Sequence, residues 1–200
     1  MKTIRIITAL ILVFAMAVTF TACGNNGKDE GGNKMEKEYV QITMDDESII
    51  VFELLPEYAP ISVEFFKEVV ADKYYDGKVF HRAVEEFMIQ GGSPNGDGIG
   101  GCGRTVKGEF ASNGYKNDLS HERGVVSFAR TNVKDSASGQ FFIMHGDAPY
   151  LDGEYAAFGR VVEGMDVVDK IATAPKAGEL LIEKPVMKTV RLLKKYTPSK

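Results

Sequence analysis

Cysteine is almost missing from this chain: Cys23 and Cys102 are the only two in 200 residues. Two thiols exclude a disulfide scaffold and a cysteine-rich zinc site. Histidine is nearly as scarce. His81, His121 and His145 lie 40 and 24 positions apart with no carboxylate or thiol at ligand spacing, so neither a metal nor another cofactor is expected. A surplus of positive charge is also lacking. Against 28 Asp and Glu stand 24 Lys and Arg, a net charge of −4, and setting aside the two cations of the first 22 residues, Lys2 and Arg5, takes it to −6. Phosphate backbones demand a basic footprint, so a nucleic-acid partner is not expected. What is present is ordinary for a globular protein: 44% apolar and 26% charged residues, in a length that suits one domain.

The amino terminus has the layout of a secretory signal. A short positive start, Met1–Arg5, leads into the run Ile6–Val18, broken only by Thr8, and then Thr21-Ala22-Cys23. The run is short for a span of a ~30 Å hydrocarbon core. The tripeptide before Cys23 resembles the lipobox of bacterial lipoproteins, with Phe20 in place of the usual leucine. The resemblance implies cleavage after residue 22, acylation of Cys23 and a lipid anchor in a membrane outside the cytoplasm; an uncleaved anchor is the alternative. Residues 24–38 contain one apolar side chain, Met35, and mixed charge. They cannot offset their ordering entropy by burial and are read, with Cys23, as a flexible tether of roughly 20 Å reach. The domain is then 39–200.

Tyr39–Met44 and Ser48–Leu55 flank a turn at Asp45-Asp46 and read as a hairpin. Pro60 suits a first helical position, and Ile61, Phe65, Phe66, Val69 and Val70 recur at helical spacing through Asp72. Lys78–Val84, Phe87–Gln90, Gly124–Arg130, Gln140–His145, Ala156–Val162 and Val186–Lys195 read as further strands. Val167, Val168, Ile171 and Ala172 make a second helix between Gly164 and Pro175. Eight strands, two helices and no βαβ alternation predict a mainly β fold: a closed eight-stranded antiparallel β-barrel capped by two α-helices.

Gly96-Asp97-Gly98-Ile99-Gly100-Gly101 matches a dinucleotide fingerprint in letters only. No helical periodicity follows it, so it is read as a surface loop. Ser120-His121-Glu122 sits in a polar turn, and no nucleophile elbow exists. Cys102, a lone thiol among glycines, is assigned no role. Strand alternation puts Phe80 and Arg82 on one face and His81 on the other, with Met88 and Gln90 together and Phe87 and Ile89 opposite. Arg82 beside apolar neighbours is then either a surface residue or a functional one.

Phe80-His81-Arg82, Phe87-Met88-Ile89-Gln90-Gly91-Gly92, Phe128-Ala129-Arg130, Gln140-Phe141-Phe142-Ile143, and Leu151-Asp152-Gly153 with Phe158-Gly159 occur in this order. On these motifs the stretch from Tyr39 to Tyr196 resembles the cyclophilin family of peptidyl-prolyl cis/trans isomerases. The resemblance implies the barrel, and it implies roles. Arg82 takes the place of the catalytic arginine, Gln90 that of the glutamine orienting it, and Phe87 joins them in the catalytic set. Phe87, Met88, Phe142 and Leu151 fall where the proline-ring pocket is built. Ala129 and Arg130 fall on the strand that holds the substrate backbone, with Gln140 on the strand beside it. His81, Tyr150 and Tyr155 are counted with the substrate contacts. Tyr150 stands where many eukaryotic members have a tryptophan that contacts cyclosporin, and Tyr155 where they have histidine. Arg130 replaces a common asparagine, with the contact expected through backbone. The expected function is isomerisation of X-Pro bonds in secreted or cell-surface polypeptides by a monomer. The rival readings are a non-catalytic module that binds proline-containing segments and a solute-binding lipoprotein.

Overall fold

A computed structural model describes residues 36–193 and 195–197. The signal segment 1–22, Cys23 and the tether through residue 35 lie outside the described residues, as does Lys194. Among the described residues no helix is long and apolar enough to cross a membrane. The last tether residues are already engaged with the domain: Lys37 pairs with Glu53 at 2.9 Å, Glu38 with Lys67 at 3.0 Å, and the Glu38 carbonyl accepts from Leu54 N–H at 2.8 Å.

Among the described residues ten strands form one antiparallel sheet. They are β1 (Tyr39–Met44), β2 (Ile49–Leu54), β3 (Phe80–Val84), β4 (Met88–Gly91), β5 (Val125–Phe128), β6 (Phe141–Met144), β7 (Ala157–Glu163), β8 (Lys176–Ala177), β9 (Leu180–Leu181) and β10 (Met187–Leu193). The order is β10-β1-β2-β7-β5-β6-β4-β3-β9-β8. The expectation of a closed eight-stranded barrel is corrected on both points. The ladder is not closed, and β3 takes as its outer partner the two-residue strand β9 of a small hairpin. Val79 and Val186, just ahead of β3 and β10, meet in an isolated bridge that does not extend into a ladder.

α1 (Pro60–Ala71) begins where Pro60 fixes a helical φ without wasting a donor. Its next two N–H groups, of Ile61 and Ser62, donate to the buried Glu109 carboxylate at 3.1 and 2.6 Å, an anion at the positive end of the helix. The buried stripe Val63, Phe65, Phe66, Val69 and Val70 delivers Phe66 to the centre of the core, within 5.0–6.0 Å of the rings of Phe52, Tyr75, Phe128, Phe141 and Phe158. α2 (Met165–Ala172) buries Val167, Val168, Ile171 and Ala172.

The sheet is apolar on both faces. Ile89, Phe141 and Ile143 point into the main core, whereas Met88, Phe142 and Met144 join Leu119, Val125, Ala148, Leu151 and Ala157 in a second cluster. Period-2 alternation makes this division: residues adjacent in β4 and β6 go to opposite clusters. The second cluster is where the site forms.

Candidate active site

Register sets the site. In the antiparallel ladder Ser127 lies opposite Phe142, Phe142 opposite Gln90, and Gln90 opposite Arg82, a row that crosses β5, β6, β4 and β3. A register shift between Phe80 and Arg82 makes two residues of β3 match one step of β4. Simple alternation would keep Phe80 and Arg82 on one face, and the bulge separates them. Phe80 goes to the main core against Phe141, and Arg82 is re-aimed beside Gln90.

A hollow of about 130 Å³ is lined by Arg82, Phe87, Met88, Gln90, Ala129, Arg130, Phe142, Leu151 and Tyr155. Small-molecule sites run to ~300–1,000 Å³, so this one holds a single side chain rather than a whole ligand. Phe142 is 5% exposed and meets Tyr155 edge-on at 5.8 Å. Phe87 departs from the alternation expected of it. It precedes β4, and Glu86 before it has φ 59°, so the turn brings Phe87 to the same hollow as Met88.

The polar groups form one directed chain. Arg82 Nη1 donates to Gln90 Oε1 at 3.0 Å and lies 3.8 Å from Met88 Sδ. Gln90 Nε2 donates to Gln140 Oε1 at 2.9 Å, and Gln140 Nε2 donates to the Gly98 and Gly100 carbonyls at 2.9 and 2.8 Å. The glycine-rich loop is therefore the outer anchor of the arginine, and no helix opens from it. Gln140, Gln90, Ala129 and Arg130 also line an adjoining hollow of about 300 Å³.

Ala129 and Arg130 lie just beyond β5 rather than on it, and Gln140 just before β6; the Ala129 N–H still donates to the Gln140 carbonyl at 3.0 Å. Arg130 is anchored through its side chain. Its guanidinium lies 5.0 Å from the Phe110 ring and 4.7 Å from the Tyr155 ring, and it donates to the Glu154 carbonyl from Nε and Nη2 at 3.0 and 2.8 Å. Packed this way, it holds Tyr155 as one wall of the hollow. Tyr150 is 68% exposed at the rim, 5.9 Å from the Phe87 ring.

His81 is placed outside the hollow. Its ring is buried, is absent from the hollow's lining, and sits 3.3 Å from Ser93 Oγ. The glycine loop covers it: a Cβ on Gly98, whose φ is +81°, would lie 3.3 Å from His81 Nε2. Burial, with the Lys184 and Arg82 charges, pushes the His81 pKa down, so the ring is held neutral. His121 has the hydrogen bonds of a nucleophile-activating base, with Nδ1 2.9 Å from Asp152 Oδ1 and Nε2 3.2 Å from Ser127 Oγ. Ser127 and His121 are both buried, and neither lines the hollow. This triad ties β5 to the segment ahead of it and offers no exposed nucleophile.

Sequence reading missed Glu179. Its carboxylate accepts from Arg82 Nε at 2.7 Å, and it sits in the Gly178-Glu179 turn between β8 and β9. The available signal was a Gly-X pair between short apolar steps.

Arg82 and the walls of Phe87, Met88, Phe142 and Leu151 together set a cationic donor at the edge of a small, partly apolar hollow. Residues 39–195 match the family described as cyclophilin type peptidyl-prolyl cis-trans isomerase/CLD, and the chain belongs to that family. Among its relatives, peptidyl-prolyl cis-trans isomerase B of Bacillus subtilis is 37% identical over 70% of this chain and 94% of its own. A peptidyl-prolyl cis-trans isomerase of Acinetobacter baylyi is 43% identical over 63% of this chain and 68% of its own. The crystal structure of a cyclophilin type isomerase from Cryptosporidium parvum superimposes with a TM-score of 0.72 at 27% identity, covering 80% of this chain and 99% of that one. A second structure of that protein was obtained in the presence of the dipeptide Ala-Pro.

Proposed function

We propose that this cyclophilin isomerises X-Pro bonds in polypeptides outside the cytoplasm, as a monomer tethered by a lipid on Cys23, with Arg82 as the catalytic donor. The observation that carries the mechanism is the guanidinium anchored by Gln90 at the edge of a hollow of about 130 Å³ walled on one side by Phe87, Met88, Phe142 and Leu151.

Amide rotation faces a barrier of roughly 18–20 kcal/mol because the nitrogen lone pair is delocalised into the carbonyl. Uncatalysed X-Pro rotation takes ~10–100 s. Reaching a kcat of order 10³ s⁻¹ requires about 10⁴- to 10⁵-fold, or roughly 5–7 kcal/mol. In the twisted transition state the lone pair returns to nitrogen, which becomes an acceptor that the planar ground state does not offer. A guanidinium aimed at that nitrogen binds the transition state preferentially. Arginine suits the role because its planar fork holds an orienting partner and a substrate at once. Phe87, Met88, Phe142 and Leu151 hold the prolyl ring while the rest of the bond turns.

The full chain is expected to accelerate cis-to-trans conversion of an Ala-Pro tetrapeptide in a protease-coupled assay. Binding of such peptides without acceleration would favour the non-catalytic module instead. The anchor is tested separately. Cells fed labelled palmitate should incorporate it into the wild-type chain and not into Cys23→Ser, and equal labelling of both would overturn the assignment of Cys23.

A further inference from the structure

Arg82 is held from two sides, and one of them lies outside the hollow. Nη1 is taken by Gln90 at 3.0 Å, Nε donates to Glu179 at 2.7 Å, and among the described residues Nη2 has no partner. Glu179 does not line the hollow. It reaches Arg82 because the β8–β9 hairpin is sewn onto β3 at that point: Leu180 lies opposite Arg82, and the Ala83 N–H donates to the Glu179 carbonyl at 2.9 Å. Backbone pairing thus places Glu179 beside the arginine.

We infer that Glu179 is a positioning residue for the isomerase reaction, fixing the plane of the Arg82 guanidinium so that Nη2 is left to donate one hydrogen to the prolyl nitrogen. The inference rests on the reading of Arg82 as the catalytic donor. A planar group held at one nitrogen swings about that contact, whereas holding Nη1 and Nε together defines its plane. Misplacement of a catalytic donor by about 1 Å costs up to ~10²-fold. The pair is open to solvent, with Arg82 32% and Glu179 58% exposed in their side chains. Water and salt weaken it, so the expected loss is smaller, about three- to tenfold in kcat.

The test compares Glu179→Ala, Glu179→Gln and Arg82→Ala, alone and combined, in the full chain, with Glu183→Gln as a control for lost charge on the same segment. Glu179→Ala should lower kcat about three- to tenfold with KM nearly unchanged, because the fork acts in the transition state. Glu179→Gln should recover most of that loss, since an amide oxygen still accepts from Nε. In the Arg82→Ala background the Glu179 change should cost nothing further. Wild-type kcat in Glu179→Ala, an increase in it, or an equal loss in both backgrounds would overturn the inference. If Arg82→Ala itself turned over at the wild-type rate, the reading beneath it would fail instead, so the two failures are distinguishable.

Discussion

Arg82→Ala is expected to lower kcat/KM by at least ~10²-fold, the scale of removing one donor aimed at a developing charge. The fold should survive. Arg82 is 32% exposed in its side chain, and its ion pair with Glu179 is exposed as well, a class of interaction that contributes ~0–1 kcal/mol. Melting temperature and catalytic rate should therefore separate, with the first nearly unchanged and the second collapsing. Arg82→Lys should recover little. An ammonium has no planar fork with which to hold Gln90, Glu179 and a substrate nitrogen together, so retained charge does not restore geometry. The decisive measurement is the protease-coupled rate of the full-length variant beside its thermal melt. A variant that isomerises prolyl peptides as fast as the wild type would remove Arg82 from the mechanism.

How far such a site can be read from sequence depends on which contacts are local. The strands flanking the hollow were legible because β4 and β6 are short runs whose alternate residues go to two apolar clusters, and the motifs around Gln90 and Phe142 lie on them. The helix Pro60–Ala71 was legible from Pro60 and its apolar stripe. Arg82 could be named but not aimed. Alternation puts it with Phe80, and only the pairing with β4 reveals the bulge that parts them. The burial of His81 was not legible either, since nothing local shows a glycine loop closing over the ring. The hairpin that delivers Glu179 has two residues in each strand, too few for any period. The contact between Glu179 and Arg82 spans 97 positions, beyond any local pattern. Strand closure was over-read: a count of eight strands says nothing about whether the ladder closes, and here the residues ahead of β3 and β10 touch at an isolated bridge without joining the two strands in one ladder.

Phe142→Ala should damage both stability and binding, and the two losses test different things. Phe142 is 5% exposed, stacks on His121 at 6.0 Å, and meets Tyr155 edge-on. Truncating a buried Phe costs about 3–5 kcal/mol through lost burial and the cavity left behind. In a domain of this size that is a fall in melting temperature of roughly 6–20 °C. The vacated volume adjoins the hollow, so the prolyl ring loses a wall. Full burial of an apolar side chain is worth about 1.5–3 kcal/mol, and losing much of it should reduce kcat/KM of the folded enzyme by about 10- to 100-fold. Most of this should appear in KM, because the ring is gripped alike in the ground state and in the transition state. Phe142→Leu, which keeps bulk at the same register position opposite Gln90, should lose far less of both. Assays well below the variant's melting temperature separate the two effects. A destabilised Phe142→Ala with an unchanged KM would mean that the ring supports the second cluster without touching substrate, and the hollow beside Arg82 would no longer be the proline site.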